Sequence, residues 1–145
     1  MKKTILPLLS LFVLVFLLLS NISCRVKETY NFLNSSEKIT NISIVTLSFE
    51  NDELIQTTIA NIENKSTFLD DFSQIKCHVY FGDPCAATPE GTPDTVVKIT
   101  YENGEYELIN WNGQSTYTVE RGFNYYAGFS IFDEEPFKLL ISKYS

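Results

Sequence analysis

The stretch "TVVKITYENGEYELINW", residues 95–111, constrains this chain more than any other. Asn103-Gly104, set between two runs of alternating apolar and polar residues, is the preferred pair for a two-residue hairpin turn, because both central positions need positive φ. A turn there fixes the register of the flanking strands. Tyr101 then stands opposite Tyr106 and Ile99 opposite Leu108, with all four on one face. Lys98 and Glu107 lie diagonally on the other face, close enough to pair.

The same period of two recurs along the chain. "NISIVTLSFE" places Val45, Leu47 and Phe49 on one face, and Asn51-Asp52 signals a turn into "LIQTTIAN", which returns antiparallel. "KCHVYF" reads as a short strand, Asn112-Gly113 as a turn into "STYTV", and "GFNYYAGFSIF" as a strand. Two segments change to helical spacing. In "NKSTFLDDFSQI" the apolar residues Phe68, Leu69, Phe72 and Ile75 fall on one side, with Ser66 or Thr67 as the cap. In "DEEPFKLLISKYS", Asp133 suits the cap and Phe137, Leu140, Ile141 and Tyr144 make a stripe. A strand over 137–142 is the alternative there. The expected fold class is α+β: an antiparallel β-meander with one or two short helices packed on one face, or alternatively a small β-barrel-like domain.

The opening "MKKTILPLLSLFVLVFLLLSNISC" joins a basic start, an apolar centre and a small polar exit, the pattern of a secretory signal peptide over residues 1–23. Its apolar run is short for a membrane span. Cys24, preceded by Ile22 and Ser23, resembles the lipidated cysteine of bacterial lipoproteins, although Asn21 stands where that family has Leu, Val or Ile. The resemblance implies export and attachment to the lipid bilayer through Cys24, on the extracytoplasmic face of the cell membrane. Ordinary cleavage nearby, giving a secreted protein, is the alternative. Residues 24–40, mostly polar and without a sustained period, read as a tether, and 41–145 as a single α+β domain.

Losing Lys2 and Lys3 with the leader leaves nine basic side chains against eighteen acidic ones, a net charge of −9. That field repels nucleic acid and leaves cationic partners open. In "CHVYFGDPC" the turn chemistry of Gly82-Asp83-Pro84 favours a Cys77–Cys85 disulfide, which fits an oxidising compartment. A zinc site would need a second ligand pair, and neighbouring residues such as Cys77 and His78 point to opposite faces of a strand. No cofactor or metal is expected. Asp70-Asp71 and Asp133-Glu134-Glu135 read as helix starts rather than paired catalytic acids.

The expected function is therefore a small exported, lipid-anchored, non-catalytic binding domain at the cell envelope. Its ligand would be a cationic protein, or else another protein or a saccharide. The expected contact surface comprises Trp111 and Tyr126 together with Glu90 and Asp94 of the loop 86–95. A carboxylate-dependent hydrolase and a structural component of an envelope assembly are the alternatives.

Overall fold

Strong alternation of apolar and polar residues produces strands through most of the chain, and reversals at Asn- and Gly-containing turns keep neighbours antiparallel. The structure, a computed structural model, describes residues 26–28, 30–51, 53–79, 94–124 and 130–145. The strands are β1 (Val26–Glu28), β2 (Ile39–Glu50), β3 (Glu53–Asn61), β4 (Cys77–Val79), β5 (Asp94–Tyr101), β6 (Tyr106–Asn110), β7 (Gly113–Thr118), β8 (Gly122–Asn124) and β9 (Ser130–Phe132). The helices are α1 (Lys65–Ser73) and α2 (Glu134–Tyr144), and a short 3-10 turn covers Ser36–Lys38. An antiparallel six-stranded sheet runs in the order β3-β2-β5-β6-β7-β8, and a second, three-stranded sheet in the order β1-β4-β9. The fold is α+β.

The β2–β3 reversal falls where expected, with Asn51 at a φ of 51°. The β5–β6 hairpin does not have its expected register. Ile99 stands opposite Glu107, Thr100 opposite Tyr106 and Lys98 opposite Leu108. Tyr101 donates its backbone N–H to the Glu105 carbonyl at 2.9 Å, and the positive φ, 84°, belongs to Gly104 and not to Asn103. Three residues, 102–104, therefore make the loop, and a glycine in left-handed conformation closes it with a bulge. The slip of one residue exchanges the faces of β6. Glu107 moves to the face of Ile99 and Tyr101, while Leu108 and Tyr106 join Lys98. The expected Lys98–Glu107 pair is thereby excluded.

Other local expectations shift by small steps. Asn64, not Ser66 or Thr67, caps α1, its Oδ1 accepting the Thr67 N–H at 3.1 Å. Trp111 and Asn112 turn the chain between β6 and β7, with Gly113 already opposite Asn110. The single strand expected in "GFNYYAGFSIF" is two: β8 belongs to the large sheet and β9 to the small one. The stripe on α2 is as read, with Phe137 and Leu140 buried and Ile141 and Tyr144 packed alongside.

Register divides the large sheet into two apolar faces. Ile42, Ile44, Val97, Ile99, Tyr101 and Ile109 share one buried cluster with Phe68, Phe72, Phe132, Phe137 and Leu140. Val45, Leu47, Val96 and Leu108 form a smaller cluster on the opposite face, flanked by Leu54, Tyr106 and Phe123. Gln56 on β3 donates to the Tyr106 hydroxyl on β6 at 3.1 Å. These strands are three gaps apart, roughly 14 Å in a flat sheet before any offset along the strands. The bond is made because the sheet curls toward that face as a half-barrel.

Among the described residues the large sheet ends on unequal edges: β8 has 3 residues and β3 has 9. In the small sheet Val26 stands opposite Val79, and Val79 opposite Ser130. Val26, Val79 and Ser130 thus lie side by side across the three strands. Between β1 and β2, Tyr30 is only 6 % exposed, and Phe32 and Leu33 pack on the main cluster, so this part of the stretch read as a tether contributes to the core. Tyr30 meets Phe72 and Phe132 with ring centroids 5.5 Å away in each case.

Candidate functional site

An open groove of about 580 Å³ lies between the 3-10 turn and the start of α1. Ser36, Glu37, Glu63, Asn64, Lys65 and Ser66 supply its polar walls, and Ile39 and Leu69 its apolar floor. The helix start is locally complete, since Asn64 Oδ1 accepts from the Thr67 N–H and the Ser66 hydroxyl. Lys65 is the one cation among the lining residues, and its Nζ is committed to the carbonyls of Ile39 at 2.8 Å and Thr40 at 3.3 Å. Glu37 and Glu63 are left as exposed carboxylates on the rim. Such walls suit the cationic tip and apolar stem of a partner's Lys or Arg side chain.

Among the described residues Glu107 is the one buried acidic or basic side chain. It is fully buried, and four donors converge on its carboxylate. The hydroxyls of Tyr30 and Tyr101, the Leu33 N–H (2.7 Å) and the Gln114 side-chain amide (2.8 Å) all donate to it. Burial pushes its pKa up, and the hydrogen bonds counter only part of that shift. Burial and the neighbouring carboxylate also raise both tyrosines. These bonds tie the segment around Tyr30 and Leu33, β5 and β7 to one carboxylate on β6, so the cluster fastens structure. The sequence carried a hint of it, because in "YENGEYELIN" an acidic residue sits at strand parity between apolar neighbours. Only the loop length decides which face receives it.

The acidic pairs singled out in the sequence are engaged at the surface. Asp70 is exposed, and Asp71 accepts from Lys143 at 2.6 Å and from the Tyr144 hydroxyl, tying α1 to α2. Those bonds hold the Asp71 carboxyl below the usual range, opposite to the shift a general acid needs. Glu134 pairs with Lys138 at 2.5 Å, one turn along α2, and Glu135 is exposed. Asp133 Oδ1 lies 3.5 Å from His78 Nε2. No group of three His, Cys, Asp or Glu side chains able to hold a metal ion occurs among the described residues.

Of the expected contact residues, Trp111 and Asp94 fall among the described residues. Trp111 is half-buried and packs against the main cluster at the β6–β7 turn. Asp94 begins β5. Cys24, Cys85, Glu90 and Tyr126 lie outside the described residues, and the lipid attachment and the Cys77–Cys85 bridge with them; Cys77 itself is buried in the main cluster. The aromatic feature that the structure does build is on the concave face. Tyr106 and Tyr117 stack at 4.9 Å across β6 and β7, and Lys98 Nζ lies 4.4 Å from the Tyr106 centroid. Lys98 also donates to Gln56 at 2.6 Å, and burial pushes its pKa down. Tyr117 and Lys98 both pack against the Tyr106 ring across neighbouring strands.

Comparison with protein-family models, with curated proteins and with solved structures gave no match.

Proposed function

We propose that this chain is a small exported, lipid-anchored, non-catalytic binding domain at the cell envelope, and that it receives a cationic protein partner at the groove between the 3-10 turn and α1. The carrying observation is the groove's composition: two rim carboxylates, Glu37 and Glu63, over an apolar floor, with Lys65 already bound to backbone carbonyls. The strongly acidic chain supports this reading, because its field draws cationic proteins toward the surface. Export rests on the leader, and anchoring on the lipoprotein-like Cys24. Both helices are read as covering one face of the curled sheet, since Phe68, Phe72, Phe137 and Leu140 share a cluster with that face. The groove then lies at the border of this layer.

The test is affinity capture from envelope extract, with captured proteins identified by mass spectrometry. Reversing both rim charges, Glu37→Lys with Glu63→Lys, should abolish capture of the principal partner. Glu120→Lys, an exposed change beyond β7, should leave it intact. Equal loss from both variants would reduce the effect to net charge, and no loss from either would remove the groove from consideration.

A further inference from the structure

A tether is expected to give a lipid-anchored domain room to move, and residues 24–40 have the composition of one. The structure uses most of that stretch differently. β1 begins at Val26 and is paired residue for residue with β4. Tyr30 is buried among Phe32, Phe72 and Phe132. Leu33 gives its backbone N–H to buried Glu107, and the Asn34 side chain donates to Glu105 at 2.8 Å. The chain then enters the 3-10 turn and β2 directly. These attachments run to three different places: the small sheet, the aromatic core and the β5–β6 hairpin.

We infer that residues 26–28 and 30–34 are a docked strap, fastened at Glu107 and β4, and that a lipidated Cys24 therefore holds the domain close against the bilayer, on the side of the small sheet where Val26, Val79 and Ser130 lie in register. This deepens the anchored reading above and rests on it. The occupant facing that side is the lipid headgroup surface, because chain length keeps a bilayer-embedded Cys24 beside it. From Cys24 to Val26 is two residues, at most about 7 Å however they are arranged. A free spacer over 24–40 would instead allow a root-mean-square reach of about 23 Å. The next basic residues along the chain, Arg25 and Lys27, flank that junction in sequence and favour anionic headgroups there, against the acidic balance elsewhere.

Two measurements on the full chain, as recovered from membranes and reconstituted into phosphatidylethanolamine/phosphatidylglycerol vesicles, test the inference. Hydrogen exchange should show the Leu33 amide slowed by at least about 100-fold relative to an unstructured peptide, as a closed segment requires. Energy transfer from a fluorophore at exposed Glu102 to a headgroup dye should fall when a flexible Gly/Ser insertion of about 16 residues is placed between Arg25 and Val26. Exchange of the Leu33 amide at the peptide rate would overturn the strap. Slow exchange with transfer indifferent to the insertion would overturn the bilayer contact alone. Intact mass of the same sample separates these results from failure of the anchored reading, since a chain without lipid on Cys24 removes the bilayer contact at its source.

Discussion

Replacing Glu107 gives the sharpest test of how this fold is held. In Glu107→Ala the four converging donors lose their acceptor inside the core. The tyrosine hydroxyls and the Gln114 amide can turn toward one another or toward water entering the vacated space. The Leu33 N–H is fixed by the backbone and cannot turn. Leaving it and one further donor unsatisfied, at about 1–3 kcal/mol each, predicts a loss of about 2–6 kcal/mol. Glu107→Gln keeps the shape and an acceptor for Leu33, removes a buried charge, and can donate to hydroxyls that rotate to accept, so its effect should stay within about 1 kcal/mol. The pH dependence has a definite sign. Because the folded pKa is raised, Glu107 favours the folded state when protonated. That contribution is complete below the unfolded value, near 4.3, and is lost as pH rises through the folded pKa. Urea unfolding followed by Trp111 fluorescence should therefore show wild type losing ground to Glu107→Gln as pH rises above about 4.5, with no further change once Glu107 has ionised. A Gln variant as damaged as the Ala variant, or a wild-type-to-Gln difference that ignores pH, would refute the account.

Two further outcomes follow from the described geometry. Gly104→Ala should destabilise by about 1–2 kcal/mol in thermal or chemical melts, from the left-handed φ of 84° alone, because an added Cβ would meet nothing within 4 Å; Gly104→Asn should recover most of the loss. Phe72→Ala should cost about 3–5 kcal/mol by the same measurement, since its buried ring touches those of Tyr30, Phe68, Phe132 and Phe137.

Much of the fold could be read from local pattern. Asn51 marks a reversal because the residue itself tolerates the conformation the turn needs, and α2 declares itself through Phe137, Leu140, Ile141 and Tyr144. The misreadings arise where a single residue decides between alternatives of similar local energy. "ENG" permits either a two-residue turn at Asn103-Gly104 or a longer loop closed by Gly104, and only the second buries Glu107 where Tyr30, Tyr101 and Leu33 can satisfy it. That preference is tertiary, and the hairpin's own sequence hints at it only through the placing of Glu107 between apolar neighbours. The segment around Tyr30 was hidden for a related reason. Its apolar residues, Tyr30, Phe32 and Leu33, are too few to show a period, and they find their partners more than thirty residues away. The groove of Glu37 and Glu63 likewise joins positions that the sequence separates by β2 and β3.

The uneven edges of the large sheet have a consequence for handling this protein. Among the described residues β8 offers three positions, and a short rim gives a foreign strand little to grip. β3 is long, carries no Pro, Gly or Lys, and has its single charge at Glu53, while Thr57, Thr58 and Ile59 all lie open to water. The irregularity that leaves Ile59 out of register with β2 twists one portion of that border away from flat pairing. Aggregation in concentrated preparations should therefore begin at the straight half, residues 53–58, where a lysine facing solvent would be the simplest safeguard.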